Sequence, residues 1–121
     1  MTVLFIYEGG KLYFKEICER AQAASAVPIV FLFAGDYLDG KELFEQKSDE
    51  IDLAILEGYC NNDEPLYKDL LEQIKTKRPE VKVIAVSGSK DWREICLKNG
   101  FNNAIDTFNL ESFLLEAVKN N

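Results

Sequence analysis

The chain has 121 residues, with 14 Lys plus Arg against 21 Asp plus Glu and no histidine. A chain of this length makes one domain around one core, and the missing imidazoles exclude Ser-His-Asp and Cys-His hydrolases, HExxH metalloproteases and His-ligated zinc or haem. The net charge of −7 argues against nucleic acid and anionic membrane surfaces as partners, because clustered Lys and Arg bind both.

The first apolar run, Val3 to Tyr7, has no basic flank and is too short for a signal peptide or a membrane span. It reads as a strand, followed by Glu8-Gly9-Gly10. Two adjacent glycines are neither GxGxxG nor a P-loop, and the Ser/Thr-rich phosphate cradle of a flavin site is missing. Phe14, Ile17, Cys18 and Ala21 then recur at i, i+3, i+4, i+7 and mark the inner face of a helix.

Pro28 to Phe33 is the second predicted strand. Leu38 to Gln46, with Leu43 and Phe44, is the shortest helical pattern. Ile51 to Leu56 is the third strand and ends on Glu57-Gly58-Tyr59. Asp63-Glu64-Pro65 places acids and a first-turn proline before a helix striped by Leu66, Leu70, Leu71 and Ile74.

Val81 to Val86 is the fourth strand and runs into Ser87-Gly88-Ser89-Lys90. That segment is read either as an anion-binding turn of backbone N–H groups or as an ordinary turn with Ser89 as helix N-cap. Asn99-Gly100 closes the following helix. Phe101 to Ile105 is a weaker fifth strand, suited to a sheet edge. Asn109-Leu110-Glu111 opens a last helix striped by Leu110, Phe113, Leu114 and Ala117.

The four stronger runs are rich in Val, Ile, Leu and Phe, as strands buried on both faces are. Five strands alternating with five helices predict a parallel sheet with helices on both faces. Within 121 residues the expected architecture is an α/β flavodoxin-like (βα)5 three-layer sandwich, a single domain of strand order 2-1-3-4-5. Its ligand edge lies at the carboxyl ends of strands 1, 3 and 4.

Cys18, Cys60 and Cys96 are widely spaced and form no CxxC pair. Cys18 and Cys96 fall on apolar helix stripes, where a free thiol behaves as a small hydrophobe. The plain reading is a reducing, cytoplasmic setting. Charge is uneven: from Asp36 to Glu72 there are 12 acids against 3 lysines, a local −9, which leaves +2 for the rest. One face is therefore expected to be strongly acidic. Trp92, Tyr59, Tyr67 and Tyr37 are candidate surface aromatics, with Trp92 read either as an interface anchor or as a core edge.

The predicted strand ends bring Glu8, Glu57 and Ser87 together. Around them the chain resembles the response-regulator receiver domain of two-component signalling, the CheY-like family. Ile51-Asp52-Leu53-Ala54-Ile55-Leu56-Glu57 is similar to the third receiver strand, which ends in the phosphorylated aspartate. Val83-Ile84-Ala85-Val86-Ser87-Gly88 resembles the fourth, with its hydroxyl residue and small neighbour. Asn99-Gly100-Phe101-Asn102-Asn103 stands where the family has Ala-Gly-Ala-Asp-Asp, and Phe108-Asn109-Leu110-Glu111 resembles the start of the last helix.

Against that pattern Glu57 replaces the phosphoacceptor aspartate, and its added methylene displaces the carboxylate by about 1.5 Å. In-line phosphoryl transfer requires finer positioning than that. Strand one offers Tyr7-Glu8 in place of a metal-binding acid pair, so Mg²⁺ is possible but not favoured. The lysine after strand five is replaced by Thr107 on an ungapped count, or by Asp106 when Phe108-Asn109-Leu110 is aligned. The switch aromatic is replaced by Ala104.

The resemblance therefore implies an atypical receiver, or pseudo-receiver. It would be non-enzymatic, without a cofactor, and would act by binding a protein: a histidine kinase, another signalling protein or a second copy of itself. Trp92, Ala104 and Phe108 mark the expected partner face. The alternative is a residual metal- or phosphoryl-binding site using Glu8, Glu57 and Ser87, in which Glu57 could also stand in for a phosphorylated aspartate.

Overall fold

The computed structural model describes residues 1–7 and 12–120. Its elements run β1 (Thr2–Ile6), α1 (Leu12–Ala24), β2 (Val30–Ala34), α2 (Tyr37–Lys47), β3 (Leu53–Glu57), β4 (Cys60–Asn61), β5 (Glu64–Pro65), α3 (Lys68–Lys77), β6 (Lys82–Val86), α4 (Lys90–Lys98), β7 (Asn103–Ile105) and α5 (Leu110–Lys119), with a 3-10 turn at Thr107–Asn109. The five longer strands form one sheet of order β2-β1-β3-β6-β7, parallel throughout. With the β4–β5 hairpin set aside this is the expected 2-1-3-4-5 order.

Alternation along the strands sorts their side chains into two layers. Val3, Phe5, Leu53, Ile55, Ile84 and Val86 pack with Phe14, Cys18 and Ala21 of α1 and with Leu110, Leu114 and Val118 of α5. Leu4, Ile6, Ala54, Leu56, Val83 and Ala85 pack on the other face, under Phe44 of α2, Leu70, Leu71 and Ile74 of α3, and Cys96 of α4. Glu57 falls in the same phase as Leu53 and Ile55, so the sequence period aims it toward the α1 and α5 layer.

The helix limits have local causes. Ser89 Oγ accepts from Trp92 N–H at 3.2 Å, which is the N-cap reading of that turn. Asp36 Oδ1 likewise caps α2 by accepting from Asp39 N–H at 2.8 Å. Gly100, at φ +104°, reverses the chain after α4.

Several expectations are corrected. Asp63-Glu64-Pro65 does not open a helix: Glu64–Pro65 pairs antiparallel with Cys60–Asn61 around a tip where Asn62 takes φ 57°, and α3 starts at Lys68. Leu66 therefore lies outside the α3 stripe and is exposed. The second strand is not buried on both faces; β2 is an edge strand, and Val30 is 51% exposed. Asn109 precedes α5 without a side-chain cap, because the 3-10 turn before it is capped by Asp106. Tyr67 belongs to the core and stacks on Tyr37 at 6.4 Å between ring centroids. No helix among the described residues is long and apolar enough to cross a membrane.

Candidate functional site

The parallel register brings the carboxyl ends of the strands level. Glu57 pairs with Val86, and Val86 with Ile105, so Glu57, Ser87 and Asp106 end neighbouring strands. Two further backbone bonds hold the step: Gly58 N–H donates to Val86 O at 2.8 Å and Ser87 N–H to Ile105 O at 3.0 Å. Gly58 eases this crossing, because a Cβ there would stand 3.3 Å from Ser87 Cβ, closer than ordinary contact, and 3.4 Å from Val86 O.

Above these ends lies a small cleft of about 160 Å³, in which Glu57, Ser87, Gly88 and Thr107 meet a wall of Tyr13, Tyr59 and Trp92. Glu57 is 6% exposed and Ser87 7% exposed, so both are held inside the fold rather than solvated at a loop tip. Ser87 Oγ accepts from Ser89 N–H at 3.0 Å, which fixes the hydroxyl within its own turn. Trp92 is half-buried and meets Tyr59 edge to face, with ring centroids 5.4 Å apart.

The structure thus gathers Glu57, Ser87, Gly88, Thr107 and Trp92 around one cleft. Asp106 stands apart: Oδ1 accepts from Phe108 N–H at 3.0 Å, and Oδ2 faces Arg93 Nη1 at 3.3 Å. Arg93 Nη1 also donates to Ser87 O at 2.8 Å. The sequence reading overlooks this guanidinium, because it seeks a cation only at the end of the last strand. One signal is available, since a residue one turn beyond an N-cap can reach back over the loop it caps. Arg93 clamps the β6–α4 turn to the end of β7, and it is not among the residues lining the cleft.

Ala104 is half-buried against the core, and Phe108 is 95% exposed beside a groove between α1 and α5. Glu8 lies outside the described residues, as does the Gly9-Gly10 pair. Tyr13 and Phe14, at the start of α1, complete the cleft wall without having been singled out as site residues; in the sequence Phe14 reads only as core.

The resemblance drawn from the sequence implies a metal held by carboxylates. Among the described residues lining the cleft Glu57 is the single acid, and no group of three or more candidate metal ligands occurs among the described residues. One carboxylate supplies fewer hard ligands than an octahedral ion takes from such a site, and Glu8 lies outside the described residues.

No protein-family model matches the chain, and no curated protein matches it. Solved structures do. A response regulator receiver domain protein from Clostridium thermocellum aligns over 98% of this chain and 94% of its own, with TM-score 0.73 at 19% identity. The signal receiver domain of an HD domain-containing protein from Pseudomonas fluorescens Pf-5 aligns over 98% and 91%, with TM-score 0.71 at 17% identity. A CheX-CheY-BeF3-Mg²⁺ complex from Borrelia burgdorferi provides a third match, over 99% and 87%, with TM-score 0.70 at 16% identity. At these identities the likeness establishes architecture: the chain has the fold of the CheY-like receiver domains.

Proposed function

We propose that the chain is a pseudo-receiver, a signalling module that keeps the receiver scaffold, is not phosphorylated in the Asp/Mg/Lys manner and acts by binding another protein. One observation carries the reading. Among the described residues lining the cleft at the strand ends the acid is Glu57 and the residue from beyond β7 is Thr107, while the guanidinium of Arg93 donates to Ser87 O and pairs with Asp106. Phosphoryl transfer is carried out by positioning and charge stabilisation. Against that requirement the described cleft residues offer a lengthened acid and, after β7, a neutral hydroxyl.

The partner face proposed is that of α4, β7 and α5. Phe108, an aromatic ring almost wholly in water, stands beside the α1–α5 groove, so the α4, β7 and α5 face is proposed by analogy of fold. The acid-rich stretch from Asp36 to Glu72 belongs to other elements, of which the β4–β5 hairpin borders α4. A cytoplasmic signalling protein such as a histidine kinase is the class of partner the scaffold suggests, by analogy of fold.

The test is incubation of the chain with acetyl phosphate, or with beryllofluoride, in the presence of Mg²⁺. Intact mass and Trp92 emission are the readouts, since the indole borders the cleft. The expected result is unchanged mass and emission. A saturable, Mg²⁺-dependent change in either would overturn the pseudo-receiver reading in favour of a working metal and phosphoryl site on Glu57 and Ser87.

A further inference from the structure

The hairpin that interrupts the regular alternation is fastened along one face of α4. Tyr59 meets Trp92, Cys60 meets Cys96, and Asp63 O accepts from Asn99 Nδ2 at 3.1 Å. Residues 92, 96 and 99 follow i, i+4, i+7, so these contacts form one stripe. At its centre the Cys60 and Cys96 sulfurs are 3.9 Å apart, and both residues are free thiols. Cys60 Sγ also lies 3.7 Å from Gly58 O and 3.6 Å from Trp92 O. Its hydrogen therefore has alternative acceptors.

We propose that Cys60 and Cys96 form a redox-sensitive pair that closes to a disulfide under hydroperoxide. The geometry supports a short path. A disulfide needs sulfurs about 2.0 Å apart, and the gap to be closed lies between two side chains already facing each other across a packed seam. Accessibility sets the order of events. Cys60 is half-buried and Cys96 fully buried, so peroxide reaches Cys60 first.

The Cys60 sulfur attacks one peroxide oxygen, the O–O bond breaks, and sulfenic acid and one water are formed. Cys96 sulfur then attacks the Cys60 sulfur, the S–O bond breaks, and the hydroxyl leaves as a second water with the Cys96 proton. In balance, two thiols and one hydrogen peroxide give one disulfide and two waters. Burial pushes the Cys60 thiol up, and burial followed by the neighbouring Cys60 pushes Cys96 to about 12. The pair is thus protonated at neutral pH, and closure is slow compared with that of an activated thiol.

Cys18 provides an internal control. It is buried in the opposite layer, on the inner face of α1, and has no part in the bridge. Closing the bridge would rivet the hairpin to α4 and alter the surroundings of Trp92, whose carbonyl is one of the Cys60 contacts.

The experiment uses the full reduced chain treated with hydrogen peroxide, then alkylated under denaturing conditions, with intact mass and peptide mapping. The expected product has lost two hydrogens, contains a Cys60–Cys96 linked peptide and alkylates only at Cys18; dithiothreitol restores alkylation at all three. Cys18→Ser keeps the linkage, whereas Cys60→Ser and Cys96→Ser lose it. A wild-type chain that gains oxygen without a linked peptide, that stays alkylatable at all three thiols, or whose linked peptide contains Cys18 would overturn the proposal. The decisive reading is on the wild-type chain, so it does not depend on the folding of a variant at buried Cys96.

Discussion

Arg93 and Glu57 show how single side chains set the character of the strand ends. Arg93 and Asp106 are 21% and 31% exposed, so their ion pair is partly screened and contributes under about 1 kcal/mol. The bond from the same nitrogen to Ser87 O is charge-assisted and better protected. Arg93→Ala is expected to lower stability by about 1–2 kcal/mol in urea unfolding with an unchanged m-value. Asp106→Asn is expected to cost only about 0.5 kcal/mol, since Oδ1 still accepts from Phe108 N–H. Equal losses in the two variants would show that the Ser87 bond adds nothing.

The same pair marks where the sequence stops being legible. An acid at the end of an apolar run is visible at Glu57, and so is the hydroxyl at Ser87. The reach of Arg93 back to Ser87 O is hinted at by its place one turn after the N-cap, but its contact with Asp106 depends on the crossing of α4 over the sheet, which no linear spacing encodes. Which of Asp106 and Thr107 borders the cleft is likewise not written in the sequence: Thr107 lines it and Asp106 turns to Arg93.

At the level of elements, the long periodic segments are readable and the short ones are not. The stripes of α1 and α5 carry three or four apolar positions each, and the structure buries Phe14, Cys18 and Ala21 of one and Leu110, Leu114 and Val118 of the other. The β4–β5 hairpin has two-residue strands, too few to show a period, and its Pro65 imitates a helix-opening proline. The second strand misleads because an apolar, aromatic run looks the same whether one face or both are covered. Phe31 and Phe33 stack with centroids 5.5 Å apart on an edge that is only half covered. The helix stop at Asn99-Gly100 is legible in the sequence, and it is testable. Gly100 has φ +104°, and a Cβ added there would meet nothing closer than 3.8 Å, so the cost of Gly100→Ala is conformational alone. Thermal unfolding should show a loss of about 1 kcal/mol; an unchanged midpoint would mean the turn relaxes to negative φ.

Across the whole molecule, the two layers each bury a thiol, Cys18 on the inner face of α1 and Cys96 on that of α4. Burial first and the charge of Glu19 second raise Cys18 to about 12, and Cys96 reaches about 12 through burial and Cys60. Unfolded thiols ionise near 9.0, so between these values the unfolded chain holds fewer protons than the folded one. Stability contributed by the protonated thiols is therefore complete below about pH 9 and is lost as pH rises toward about 12. The urea midpoint of the reduced chain is expected to fall across roughly pH 9 to 11, and Cys18→Ala, although less stable at the outset, is expected to fall less steeply. Parallel slopes in the two proteins would assign the alkaline loss to other groups.

The strand order carries a consequence for biosynthesis. β1 is made first and lies between β2 and β3; β6 adds beside β3, and β7 beside β6. Every later strand of the sheet therefore emerges from the ribosome after a neighbour it must join, and none waits for a first partner still to be translated. Completion falls to α5, whose Leu110, Leu114 and Val118 cover strand residues left bare on the α1 face. A nascent chain paused before that helix would hold its sheet already in order but would display one greasy flank, the species a trigger-type chaperone would be expected to shield.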